Sequence, residues 1–184
     1  MAEKKHTPIA SLGQFAFVDR LCAPFAPSNP STVKGCGDDA AVIDAGDKYM
    51  LFTTDLLLEG VQFDLTYFPL QHLGYKAVVA GISDILAMNG TPRQVTLALG
   101  ISSRFSVETV EQLYEGVRYA CRDYKVDLAG GDTSASVNGL TIAVSAVGEV
   151  AKDKIVYRSG AQIAERTAFK TIAKVYRKVG FIQP

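Results

Sequence analysis

Apolar residues recur along this chain with two periods, one helical and one of two residues, and the switches between them outline the fold. Leu12, Phe15, Val18, Leu21 and Cys22 fall on one helical face. Pro24, Pro27 and Pro30 then predict an extended connector. Residues 40–43 and 49–54 are short apolar runs on either side of Asp44-Ala45-Gly46-Asp47, which predicts a β-hairpin. A helix is predicted over 70–88, with Ala77, Val78, Gly81, Ile82 and Ile85 on one face. Small residues on that face let a neighbouring element approach closely. Asn89-Gly90-Thr91-Pro92 is a stop signal.

Val95, Leu97, Leu99 and Ile101 alternate as one face of a strand. Ser106 is a helix N-cap, with Glu108 and Glu111 in the first turn and Val107, Val110, Leu113, Tyr114, Val117 and Cys121 following at helical spacing. Residues 126–129 form a short run leading into a Gly130-Gly131-Asp132 turn, and 140–150 read as another strand. Helices interleaved with hairpin-like strands predict an α/β or α+β domain.

The 184 residues suffice for one ordinary domain, and 48% hydrophobic with 21% charged residues suits a soluble core-forming chain. A formal net charge of zero gives no electrostatic case for nucleic acid or membrane surfaces. No stretch is long and apolar enough for a bilayer span, and the first ten residues lack an apolar signal core, so the expected location is the cytoplasm. Cys22, Cys36 and Cys121 form no CxxC pair and read as reduced thiols. From residue 161 onward five basic residues face one acid, Glu165, and 168–179 could form a basic amphipathic helix; a solvated terminus is the plainer reading.

Four short acidic motifs carry the chemistry: Gly37-Asp38-Asp39-Ala40-Ala41, Thr53-Thr54-Asp55, Ser83-Asp84 and Gly130-Gly131-Asp132-Thr133. A single Asp in such a setting is usually a turn residue bonding its own backbone. The set says more. Asp55 closes an apolar run that would deliver it to a sheet edge beside the Thr53 and Thr54 hydroxyls. Asp84 lies in a helical stretch among apolar neighbours, and Asp132 follows two glycines that allow close approach of a phosphate. Carboxylates among apolar neighbours are costly unless paired or bound to metal, and Mg²⁺ takes hard oxygen ligands plus phosphate oxygens. No Walker motif or protein-kinase signature is present. Cys36, between two glycines with only Lys34 nearby, reads as a plain loop thiol. His72 reads as a surface or capping residue, and Tyr67, Phe68 and Tyr75 as core.

These motifs, with Gly13-Gln14-Phe15, Leu56-Leu57-Leu58-Glu59-Gly60-Val61-Gln62-Phe63, Leu73-Gly74-Tyr75-Lys76-Ala77 and Arg158-Ser159-Gly160-Ala161, resemble thiamine-monophosphate kinase in order and spacing. The resemblance implies the N-terminal domain of the aminoimidazole ribonucleotide synthase-like fold: a mixed sheet with helices packed on one side and a sheet-mediated homodimer. It implies an ATP-binding, dimerising domain over 12–161, a basic tail at 162–184 unlike the family, and no C-terminal domain in this chain. It further implies Mg²⁺ held by Asp39, Asp55, Asp84 and Asp132 with Thr53 and Thr54 assisting. ATP would be contacted by Tyr114, Gly131, Asp132 and Arg158, and thiamine monophosphate by Gln62, where the family commonly has His. The implied reaction is transfer of the γ-phosphoryl group of ATP to thiamine monophosphate, giving thiamine diphosphate. Alternatives are a non-catalytic nucleotide-binding or dimerisation module, and another superfamily enzyme such as selenophosphate synthetase.

Overall fold

Alternating burial along the strands and a helix built for close approach generate a mixed sheet with helices on one face. The computed structural model describes residues 6–160. The basic segment from residue 161 and its helix expected at 168–179 lie outside the described residues. Helix α1 (Gln14–Cys22) precedes three strands, β1 (Thr32–Lys34), β2 (Ala41–Asp44) and β3 (Lys48–Leu58). Helix α2 (Leu70–Ala87), β4 (Thr91–Ile101), α3 (Val107–Tyr124), β5 (Asp127–Ala135) and β6 (Leu140–Ala151) follow. The six strands lie in the order β1-β2-β3-β6-β4-β5. All pairings are antiparallel except β4 with β5, which are parallel and joined through α3.

The expected hairpin is β2–β3. Its turn is closed by Gly46 N–H donating to Asp44 Oδ1 at 2.9 Å, with Gly46 at φ 91°. Alternation then sorts each strand's faces. Leu51, Thr53 and Leu57 on β3, Val95, Leu97 and Leu99 on β4, and Ile142, Val144 and Ala146 on β6 are buried under the helices. Phe52, Leu56 and Leu58 point to the other face and are exposed.

Helix α2 lies on the sheet through Ala77, Val78, Ile82 and Ile85, all fully buried. Each large aliphatic side chain so buried contributes roughly 1.5–3 kcal/mol. At Gly81 α2 comes close to β6: a Cβ there would stand 2.5 Å from Val144 Cγ1. Helices α2 and α3 also meet at glycines. A Cβ on Gly116 would fall 1.7 Å from the Gln71 carbonyl oxygen, and one on Gly74 1.9 Å from that of Leu113. The α2 stop expected at residues 89–92 is realised by Asn89 at φ 61° and Gly90 N–H bonding the Ile85 carbonyl at 2.8 Å. Ser106 caps α3 by accepting from Thr109 N–H.

Several expectations are corrected. The Gly130-Gly131-Asp132 segment is strand, not turn: β5 runs from Asp127 to Ala135 with all nine residues exposed. Asp55 does not close its strand; β3 continues through it to Leu58, paired with β6 throughout. The helical stripe of α1 is real as a helix but buries none of its residues. Tyr67 is 76% exposed, whereas Phe68 and Tyr75 pack against the core as expected. Strand β1 escaped notice because three residues carry too little pattern.

Candidate functional site

Three acids gather where α2 crosses β3: the charges of Asp55 and Asp39 both act on Asp84. The register places Asp55 in a cross-strand row with Val144, Leu97 and Gly131, on the helix-covered side. Thr53 is two residues earlier on the same face. Its Oγ1 donates to Asp84 Oδ2 at 2.7 Å, binding sheet to helix. Asp84 reaches this position because Gly81, one turn earlier, lets α2 settle on Val144.

The third acid arrives from the loop between β1 and β2. Asp38 Oδ1 accepts from Asp39 N–H at 3.0 Å and Arg158 N–H at 3.1 Å. Its buried Oδ2 has no hydrogen-bond partner among the described residues. Asp39 is ion-paired with the Arg158 guanidinium, which also stands 5.8 Å over the Phe15 ring of α1.

The electrostatics are those of crowded acids. Burial pushes the Asp84 carboxyl up to about 6, against the opposing Thr53 hydrogen bond; the Asp55 and Asp39 charges add to the rise and Arg158 opposes it. Burial also raises Asp55. Asp39, Asp55, Asp84 and the Thr53 hydroxyl thus supply oxygen donors alone, the set that suits a hard divalent cation. Among the described residues, no three His, Cys, Asp or Glu side chains already stand close enough together to share one ion. Asp39 is instead held by Arg158.

The other expected residues lie elsewhere on the sheet. Thr54 is on the open face, where Ser145 Oγ donates to its Oγ1 at 3.1 Å. Asp132 shares a row with Ala98, Ala143 and Leu56, also toward the open face and three strands from β3, about 14 Å by strand spacing. One chain therefore does not bring Asp132 to Asp39, Asp55 and Asp84. Gly131 is on the helix-covered side, so close to Leu97 that a Cβ would lie 1.8 Å from its carbonyl oxygen. Tyr114 lines a 600 Å³ cleft with Glu111, Val117, Cys121 and Leu128 of β5, away from Arg158. Gln62 sits on the loop after β3, its Oε1 accepting from Leu58 N–H at 2.8 Å. Lys76 of α2 donates to the Gln62 carbonyl.

Two contributors were not singled out from sequence. Asp38 orients both Asp39 and Arg158, and its place beside Asp39 was the available signal. Lys76 lies in a motif already noted, but only the fold carries it to Gln62. A 790 Å³ cleft between the Glu59–Gln71 segment and Arg104–Phe105 is lined by none of the three acids; it lies between that loop and α3.

The geometry defines a class: a mixed-sheet α/β domain with an acidic, oxygen-donor site where one helix meets the sheet. The AIR synthase related protein family, N-terminal domain, matches residues 37–150, and the chain belongs to that family. It is 34% identical over 157 residues to the thiamine-monophosphate kinase of Aquifex aeolicus, covering 85% of this chain and 48% of that protein. The Bacillus subtilis thiamine-monophosphate kinase is 35% identical over 126 residues, with 68% and 39% covered. The solved structure of AaThiL complexed with AMPPCP and TMP superposes with a TM-score of 0.74 at 32% identity, covering 85% of this chain and 48% of that one. The chain thus spans about half the length, or less, of these relatives. The expected fold, a mixed sheet with helices on one side, is the one observed. Among the described residues no helix is long and apolar enough to cross a membrane.

Proposed function

We propose that this chain is the nucleotide-binding half of a cytoplasmic thiamine-monophosphate kinase, acting in Mg²⁺-dependent transfer of the ATP γ-phosphoryl group to thiamine monophosphate. The observation that carries the reading is the Asp39–Asp55–Asp84 group. Asp55 on β3 and Asp84 on α2, the latter raised to about 6, with Asp39 on the adjoining loop and only Arg158 offsetting them, form an acid-rich site that favours a cation. The kinship with thiamine-monophosphate kinases supports the choice of substrate.

Asp39, Asp55 and Asp84 would hold Mg²⁺ with the Thr53 hydroxyl. Bound there, the metal supplies neutralisation of phosphate charge. Thr53 orients the Asp84 carboxylate. Asp38 holds the backbone that presents Asp39 and Arg158, whose guanidinium is the cation nearest the acids and suits a phosphate oxygen. The side-chain-free edge at Gly131 and the Tyr114 cleft suit the rest of the nucleotide. With its Oε1 occupied by Leu58, Gln62 offers its amide N–H groups to thiamine monophosphate, beside Lys76. A phosphate oxygen of thiamine monophosphate attacks the γ-phosphorus as the bond to ADP breaks. Such transfer needs positioning and charge neutralisation, not a covalent protein nucleophile.

Homodimerisation belongs to the same reading. Phe52, Leu56 and Leu58 present apolar surface on the open face, which suits a second copy. Thr54 and Asp132 lie on that face too, so a facing copy could bring the Asp132 of one chain toward the Thr54 of the other.

Calorimetric titration with AMPPCP, with and without Mg²⁺, tests the site. Mg²⁺-dependent binding that weakens at least about tenfold in Asp55→Asn and Asp84→Asn is expected. Unchanged affinity in both variants would sink the metal assignment. Binding of AMPPCP with no thiamine diphosphate formed in a separate assay with ATP and thiamine monophosphate would leave a nucleotide-binding module in place of a kinase.

A further inference from the structure

A second chemical feature lies at the junction of α1 with the loop that delivers Asp39. Cys22 ends α1 and Cys36 sits between Gly35 and Gly37 on the loop after β1. Both line one 420 Å³ cleft with Asp19, Phe25, Pro27, Val33 and Lys34. The connector folds back onto the loop: a Cβ at Gly35 would meet Pro27 Cγ at 3.5 Å. The neighbouring Cys36 thiol, with partial burial, raises the Cys22 thiol. Cys36 is exposed and Cys22 partly covered. Cys121, on α3, lines a different cleft.

We propose that Cys22 and Cys36 form a reversible intramolecular disulfide, a redox modification site that clasps α1 to the loop carrying Asp38 and Asp39. With hydrogen peroxide as oxidant, the exposed Cys36 sulfur attacks the O–O bond, giving a sulfenic acid and water. The Cys22 sulfur then attacks the Cys36 sulfur, forming the S–S bond and releasing the second water. Two thiols lose two electrons and two protons to one peroxide, and a dithiol reductant reverses the step. The flanking glycines give the loop the freedom to reach disulfide geometry. Since α1 buries none of its residues, the bond would become its strongest tether.

The experiment uses the full chain treated with graded hydrogen peroxide, alkylated, digested with trypsin without reduction, and read by mass spectrometry. Cleavage after Arg20, Lys34 and Lys48 puts the two cysteines on separate peptides. The expected product is peptide 21–34 linked to peptide 35–48, removed by dithiothreitol, with Cys121 still alkylated. In Cys22→Ser, Cys36 should instead accumulate as sulfinic acid or as an intermolecular disulfide. Amide exchange over 14–22 and 35–37 should slow about tenfold in the oxidised wild type. Wild-type Cys36 that ends as sulfinic acid or an intermolecular disulfide while Cys22 stays alkylated overturns the proposal. So does unchanged exchange in protein shown to carry the bond, since no clasp would then exist.

Discussion

Replacing Asp84 by Asn should make the protein more stable at pH 8 while weakening cation binding at its candidate site. The wild-type carboxyl has its pKa raised from 3.8 to about 6, chiefly by burial between α2 and the sheet, with Asp55 and Asp39 adding like charge. The unfolded chain releases this proton near pH 4 and the native chain keeps it until near pH 6. Between those values the native state binds more protons than the unfolded one, so stability falls as pH rises, and the loss is complete above the folded pKa. A shift of this size corresponds to about 3 kcal/mol at most. Asp84 still meets solvent on one side, so screening reduces this to about 1–2 kcal/mol. Asn keeps the shape and a partner for the Thr53 hydroxyl but carries no charge. Denaturant titrations of both proteins from pH 4 to pH 8, at constant ionic strength with a chelator, should show Asp84→Asn ahead by about 1–2 kcal/mol at pH 8. The gap should close toward pH 4, where the native wild type is protonated. Equal stability at pH 8, or a gap that persists unchanged at pH 4, would refute the reasoning.

Other perturbations test other links. Gly116→Ala sets a methyl 1.7 Å from the Gln71 carbonyl oxygen, so α2 and α3 must separate; a loss above about 3 kcal/mol, or no folded protein, is expected by circular dichroism. Ser106→Ala removes the α3 cap and should cost about 1 kcal/mol in the same assay. Arg158→Ala removes the cation that lowers the Asp84 pKa, so the Asp84 carboxyl, followed by NMR, should titrate at higher pH than in wild type; an unchanged midpoint would place Arg158 outside the acid group's field.

Much of the frame could be read from pattern. Helices α2 and α3 and strands β4 and β6 carry long, regular periods; Asn89 and Ser106 mark helix boundaries, and Gly46 marks the β2–β3 turn. Strand β5 could not be read, because a fully exposed edge strand needs no apolar alternation and its glycines mimic a turn. The Thr53–Asp84 link was invisible because it joins residues 31 apart through a close approach that only Gly81 permits. The side on which Asp132 emerges was hidden too. An irregularity in the β4–β5 register after Val95 leaves Ala129 without a partner, and such a slip changes which residues face together. The acids were recognisable as a set; their division between two faces of the sheet was not.

The strand order has a consequence for how the protein is made. Strand β6 is the last strand in sequence among the described elements, yet it lies between β3 and β4 and joins the two halves of the sheet. Leu51 waits for Gly148 and Leu57 for Ile142. At about 5–20 residues per second on the ribosome, the β2–β3 hairpin spends several seconds with an open apolar edge before its partner is translated. Folding through such distant pairings is slow, and the nascent chain is exposed to mispairing throughout that interval. A truncation before residue 140 would leave both half-sheets unjoined, prone to aggregate and a natural client for a chaperone.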